Sequence, residues 1–272
     1  MTARSSKPSS RLPGNERTDG RCHATGRRTH RQRSGKLRPT LVAFAPVECV
    51  ENKPTILTDF TIPTDGLESP WGGAKLVFFH DTARTSQESM PRSSAELLEW
   101  AKANPGLFSY PQPPDFIGSS FLKQVLSEVI TDTDKLAQPV NAETFDEDVA
   151  PLFAYLDELH PNLWRSGKAY PQNYPDMKQK LADGELDIIF AFNPSEASAG
   201  IAAGELPDTV RSFTYPGGTL GNTHFVAIPY NAAAKAGALV LANFLISPEA
   251  QARKQDPAIW GDPTVLSMDK LS

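Results

Sequence analysis

Two short polar stretches are best placed to do chemistry in this chain: Gly118-Ser119-Ser120, behind the proline-stiffened run 110–116 (YPQPPDF), and Asn193-Pro194-Ser195. Each stands where a strand-like apolar run gives way to a helix-like pattern, and the start of a helix presents backbone N–H groups that have no partner inside the helix. Together with the helix dipole these groups attract hydrogen-bond-accepting atoms, so the chemistry expected here is ligand binding. Asp115 adds a carboxylate able to meet a cationic group, Phe116 adds an apolar ring, and Trp71, within ESPWGG at 68–73, adds another. Every one of these also has a purely structural reading. Asn193, Ser119 and Ser120 can be helix caps, Phe116 a staple packed on the helix it precedes, and Trp71 a core residue.

Bond-making chemistry has no comparable signal. His23, His30, His80, His160 and His224 are scattered, with no HExxH and no i,i+4 pair. The GxSxG, GxGxxG and GxxxxGK[ST] patterns are absent, and SGKL at 34–37 lacks both the upstream glycine and the hydroxyl of a phosphate loop. Tyr170, Tyr174, Tyr215 and Tyr230 include no adjacent pair of the sort that holds a ferric ion, and Cys22 and Cys49 have no CxxC spacing. The expectation is no catalytic residue, no metal and no cofactor.

The elements that must position the two polar stretches follow from periodicity. AKLVFFH at 74–80 is an apolar run of strand length. A helix follows it, opened by a capping box of Ser93 and Glu96 and stopped by Pro105-Gly106. GLFSYP at 106–111 reads as a short strand before the proline-rich loop, and a helix is expected over 119–130 with Phe121, Leu122, Val125 and Val129 inward. Thr144 with Glu147 signals another capping box, Pro175 the first turn of a further helix closed by Gly184, and LDIIFAF at 186–192 a second buried strand. At 193–204 the expected helix has Asn193 as cap and Gly204 as stop, followed by the strands TVRSFTY and HFVAIPY, a long helix from 234 and a last one capped by Ser247. This alternation predicts an α/β class with largely parallel sheets and crossover helices.

Charge divides the chain. Its net charge is -5, yet residues 1–40 carry 11 Lys/Arg against 2 Asp/Glu while the remainder carries 16 against 30. The basic stretch lacks apolar periodicity and is expected to be disordered. Counterion release would favour a nucleic-acid arm, but no aromatic residues are interleaved, and the preferred reading is a non-native start. No apolar h-region follows it, so it does not resemble an export signal, and no run approaches the ~18 apolar residues of a membrane span.

The 30 residues LADGELDIIFAFNPSEASAGIAAGELPDTV, then GGTLGNTHFVAIPYNAAAKAGALVLANFLISPEAQARK and WGDPTVL, resemble the substrate-binding proteins of bacterial ABC transporters, most closely the YnjB type. ESPWGGA and YPQPPDFIGSSFLKQ match as well, so the resemblance runs from about Thr58 to the C-terminus. It implies a type II periplasmic binding protein, in which two α/β lobes joined by crossing strands close on a solute. It further implies delivery of that solute to a membrane permease, a periplasmic location, a monomer and no enzymatic activity. The organisation expected on this basis is a basic tail over 1–40, part of lobe one and a crossing strand over 41–90, lobe two over 91–222, and a second crossing strand with the return to lobe one over 223–272. Lobe one is then incomplete and the chain a fragment. The expected cleft wall comprises Trp71, Asp115, Phe116, Ser119, Ser120, Asn193 and Ser195, with Asp115 suiting an organic cation of the thiamine or polyamine kind. The alternatives are an enzyme or a ligand-sensing regulatory domain on the same scaffold; the first needs a catalytic group in the cleft and the second a helix-turn-helix pattern before Leu41.

Overall fold

The structure, a computed structural model, describes residues 54–268 and two short strands, β1 (Gly26–Arg27) and β2 (Ala43–Phe44), which pair antiparallel. The rest of the basic tail, and with it Cys22 and Cys49, lies outside the described residues.

The apolar run after Leu76 forms β6 (Val77–Asp81), with all five residues buried. It is the central strand of a three-stranded sheet, flanked by β7 (Ile188–Ala191) and β8 (Val210–Phe213). Both pairings are antiparallel, which corrects the expectation of largely parallel sheets. The reason is the route of the chain. β6 enters the sheet at the end where β7 leaves it, since Lys75 N–H donates to Phe192 O at 3.1 Å, so the two strands must run in opposite directions. The strand expected at 106–111 is reduced to one parallel bridge between Phe108 and Ile188. Pro111 and the prolines after it have no N–H with which to extend a ladder.

Helices α2 (Ser94–Ala103), α3 (Phe116–Val129), α4 (Phe145–Leu159), α5 (Tyr174–Ala182) and α6 (Glu196–Ala202) belong to this body. Phe78, Phe79, Phe108, Phe121 and Phe190 are all fully buried in its core. Phe121 stacks on Phe190 with centroids 5.3 Å apart, and Phe78 on Tyr215 at 4.6 Å. Burial of each such ring stabilises the fold by about 2–3 kcal/mol.

Local capping follows the expected residues with two exceptions at this level. Ser93 Oγ accepts from Glu96 N–H, but the Glu96 carboxylate reaches back to Arg92 N–H at 2.8 Å rather than to the cap residue itself. The Thr144–Glu147 box does not form. The Thr144 backbone is already near-helical (φ -110°, ψ -4°), and its hydroxyl donates to Asp148 Oδ2 at 2.8 Å instead of accepting from the first turn.

A long antiparallel ribbon joins the body to the remaining described residues. It pairs β5 (Glu68–Lys75) with β9 (Gly221–Ala227), with a break in register between Pro70 and Gly72. At its far end lie α1 (Pro54–Leu57), the two-residue strands β3 (Thr58–Asp59) and β4 (Ile62–Pro63), and then α7 (Lys235–Leu245) and α8 (Pro248–Gln255). A small apolar cluster, Ile228 with Ala242, is buried there, and Ile246, Val265 and Leu266 are buried in the same region.

Candidate functional site

The proline-stiffened loop is shaped by a close approach. A Cβ on Gly118 would lie 1.7 Å from Pro111 O, so only glycine lets the first turn of α3 pack against the loop backbone. The helix itself begins at Phe116, three residues before the expected start. Asp115 is its cap: Oδ1 accepts from Ile117 N–H at 2.8 Å and from Gly118 N–H at 3.1 Å. Ser119 N–H already donates to Asp115 O, and the buried Ser120 hydroxyl donates to Phe116 O at 2.8 Å. The free donors expected at Ser119 and Ser120 are therefore taken up within the helix. An aspartate at the cap is a stronger start signal than the serines downstream, because its carboxylate satisfies two orphan N–H groups at once.

A similar shift occurs at the second polar stretch. Asn193 Oδ1 accepts from Ser195 N–H at 3.0 Å and α6 begins at Glu196, so Asn193 shapes a turn ahead of the helix and does not cap it. Gly261 packs on Ser195, where a Cβ would come within 2.5 Å of the serine Cβ. Trp71 is linked to the second stretch through Trp260, the chain neighbour of Gly261: its ring lies 5.7 Å from that of Trp260, with Lys254 Nζ 5.5 Å from its centroid. That cluster is tied together by a buried ion pair in which Lys254 Nζ donates to Asp262 Oδ2 at 2.7 Å and also to Asp262 O and Pro263 O. Burial lowers the Lys254 pKa, which the Asp262 charge partly restores. His224 Nε2 stands 3.4 Å from Asp262 Oδ1.

Of the seven expected site residues, Phe116 alone lines the recess that opens between the body and the ribbon, about 300 Å³ in volume. Three rings from distant parts of the chain meet in it. Phe116 lies 5.4 Å from Phe192 and 6.3 Å from Phe60, and Phe60 lies 6.1 Å from Phe192. Phe192 follows β7 directly, Phe116 opens α3, and Phe60 sits in the turn between β3 and β4. That turn has Phe60 at φ 42° and Thr61 at φ 75°, a left-handed conformation that costs about 1–2 kcal/mol per residue. Asn222 offsets the cost, since its Oδ1 accepts from Phe60 N–H at 3.0 Å and its Nδ2 donates to Asp59 Oδ1 at 2.7 Å.

Two carboxylates, Asp59 and Glu68, face this recess. Glu68 is half-buried, and its Oε2 is shut off from solvent with no hydrogen-bond partner among the described residues. Burial raises its pKa, and the nearby Asp59 charge raises it further. Sequence reasoning missed Asp59, Phe60, Glu68 and Asn222. A carboxylate opening the stretch of small and apolar residues 69–74 was the one available signal, at Glu68; the others become neighbours only through tertiary contacts. No group of His, Cys, Asp and Glu suited to a metal ion occurs among the described residues. His80 is buried between Thr85 Oγ1 and Gln87 Oε1, and His160 pairs with Tyr110.

The profile of the bacterial extracellular solute-binding protein family matches residues 35–265. The chain belongs to this family. Its match includes residues 35–40, and so begins earlier than the resemblance visible from about Thr58. The protein YnjB of Escherichia coli (strain K12) is 48% identical over 222 residues, an alignment covering 82% of this chain and 57% of that protein. The chain thus spans little more than half the length of this relative. The ferric binding protein from Campylobacter jejuni superposes with a TM-score of 0.59 at 14% identity, covering 81% of this chain and 62% of that one. The spermidine/putrescine ABC transporter substrate-binding protein PotD from Streptococcus pneumoniae superposes at 0.54, with 14% identity and coverage of 83% and 62%. The fold is the type II periplasmic binding fold, and the matched family and its structural neighbours are binding proteins, not enzymes. No helix among the described residues is long and apolar enough to cross a membrane.

Proposed function

We propose that this chain is the solute-capturing component of a bacterial ABC importer, acting in the periplasm as a monomer, without catalysis, and handing a small solute to a membrane permease. The observation that carries this reading is the recess at the β5–β9 ribbon. There the rings of Phe116 and Phe192, fixed by the packed body, face side chains held on the crossing strands. A site in that position responds to relative movement of the parts it joins, which is the property a capture-and-release protein requires. In this reading Phe116 touches the solute. Asp115, Ser119, Ser120, Asn193 and Ser195 shape the backbone on either side of Phe116 and Phe192, and Trp71 anchors the middle of the ribbon, at its register break, against Trp260.

The test is a thermal-shift screen of small solutes against the full chain, followed by affinity measurements on Phe116→Ala and Trp71→Ala. Loss of affinity in Phe116→Ala with retention in Trp71→Ala is the expected pattern. The reverse pattern would move the site to the Trp71–Trp260 cluster.

A further inference from the structure

We propose that the recess between the ribbon and the body is built for an organic ammonium ion, held between the carboxylates of Asp59 and Glu68 and the rings of Phe60, Phe116 and Phe192. This rests on the reading of the recess as the solute site and narrows it to one chemical class.

Charge comes first. Two carboxylates line the recess, His224 is the one other titratable side chain in its lining, and no lysine or arginine among the described residues joins them, so an anionic solute would meet two like charges. Hydrogen-bond accounting limits where a ligand can act: Asp59 Oδ1 already accepts from Asn222 and Glu68 Oε2 is closed off from solvent, so a ligand in the recess can meet these two carboxylates only through their other oxygens. The rise in the Glu68 pKa, from burial first and Asp59 second, is the same repulsion seen from the carboxyl group, and a positive charge between the two would relieve it.

The rings exclude the other cations. A hard metal ion such as calcium takes six to eight oxygen ligands, whereas much of this recess is aromatic. Aromatic faces suit a large, weakly hydrated ammonium, which they attract through the ring quadrupole. Phe60 already shows that capacity, with Lys123 Nζ standing 4.1 Å from its centroid. A volume of about 300 Å³ is at the small end of ligand sites and fits one compact head group rather than an oligomer.

The experiment is isothermal titration of the full chain with choline and 1,4-diaminobutane as cationic probes, glutarate as an anion and glucose as a neutral solute. It is run on the parent, Glu68→Gln, Asp59→Asn and Phe192→Leu, and circular dichroism melts confirm that each variant is folded. Saturable binding of a cationic probe is expected, weakened about tenfold or more by Glu68→Gln and by Phe192→Leu. Asp59→Asn keeps the test valid should Glu68→Gln prove unstable, and it should weaken the same probe. If glutarate or glucose binds, is weakened by Phe192→Leu and is indifferent to both carboxylate changes, the recess stands as the solute site and the ammonium class is wrong. If a cationic probe binds with an affinity that none of the three variants alters, both the class and the site are overturned. Failure of both cationic probes to bind the folded parent overturns the class.

Discussion

The body around β6 and the region beyond β9 use apolar residues in opposite ways. In the body, Phe78, Phe108, Phe121 and Phe190 are all buried at 0% exposure, and their rings touch one another. In α7 only Ala242 is buried among the described residues, while Val240, Leu241 and Phe244 remain 71%, 56% and 52% exposed. Both segments are comparably apolar in sequence. A β-strand in the middle of a sheet with helices packed on it is covered by geometry, whereas α7 has described neighbours on one side only. Apolar content therefore identifies the stabilising residues in the first region but not in the second. There, polar contacts such as the Lys254–Asp262 pair act together with a few buried residues, Ile246, Val265 and Leu266, outside the exposed face of α7.

The sharpest way to break this comparison is to truncate one large side chain in each region. Phe190→Ala should cost about 3–5 kcal/mol, and Leu241→Ala no more than about 0.5 kcal/mol, read as urea unfolding midpoints. Equal losses would show that α7 is covered after all. A second large effect is expected from Lys254→Met, which strands the buried Asp262 carboxylate and should cost about 3 kcal/mol or more. Adding Asp262→Leu should restore much of that loss, and a double variant no better than the single would mean that packing, not charge, holds this segment.

Acid titration adds a further contrast, because Asp81 in the body and Glu68 on the ribbon are shifted in opposite directions. Burial alone would raise the Asp81 pKa, but hydrogen bonds from Thr209 and Ala83 and the charge of Arg84 outweigh it, and the net shift is downward. A folded-state pKa below the unfolded one contributes stability that is present above the unfolded value and lost as pH falls through the folded value. Thr209→Val should therefore shrink the loss of stability on going from about pH 5 to pH 2. Glu68 on the ribbon is shifted upward by burial and Asp59. Protonation favours its folded form, so Glu68→Gln should raise stability at neutral pH and remove a component that otherwise improves as pH falls. Denaturation curves from about pH 7 to pH 2 check both signs, the Glu68 component above the ordinary carboxylate range and the Asp81 component below it, and parallel curves for parent and variants would refute them.

The smallest effects are expected at the start of α3. Asp115→Ala removes the acceptor of two N–H groups and should cost about 1 kcal/mol, whereas Ser119→Ala should change stability by less than about 0.5 kcal/mol. A larger loss at Ser119 than at Asp115 in thermal melts would restore the serines as the true helix start.

Much of the local structure was legible from residue types. Ser93 and Ser247 cap α2 and α8 as their positions suggested, with the side chains accepting from Glu96 N–H and Ala250 N–H. Pro175 stands in the first turn of α5 and Gly184 follows its end at φ 76°, as expected, while the cap itself is Asn173. The family resemblance was legible too, since long runs such as 181–210 bear on it residue by residue. Where two start signals competed, local reasoning chose wrongly. Asp115 outranked the serines after it, and Asn193 formed a turn rather than a cap, because a side-chain oxygen takes whichever N–H the backbone presents to it.

What the sequence determined by itself was therefore most of the helices, the buried strands β6 and β7, and the family to which they belong, because periodicity and capping act over only a few residues. Strand direction in the sheet, the burial of Phe190 but not Phe244, and the meeting of Asp59, Phe60, Glu68, Phe116 and Phe192 were decided by tertiary structure alone. Phe60 and Asn222 are 162 positions apart, and their 3.0 Å contact exists only because the pairing of β5 with β9 brings these two segments together.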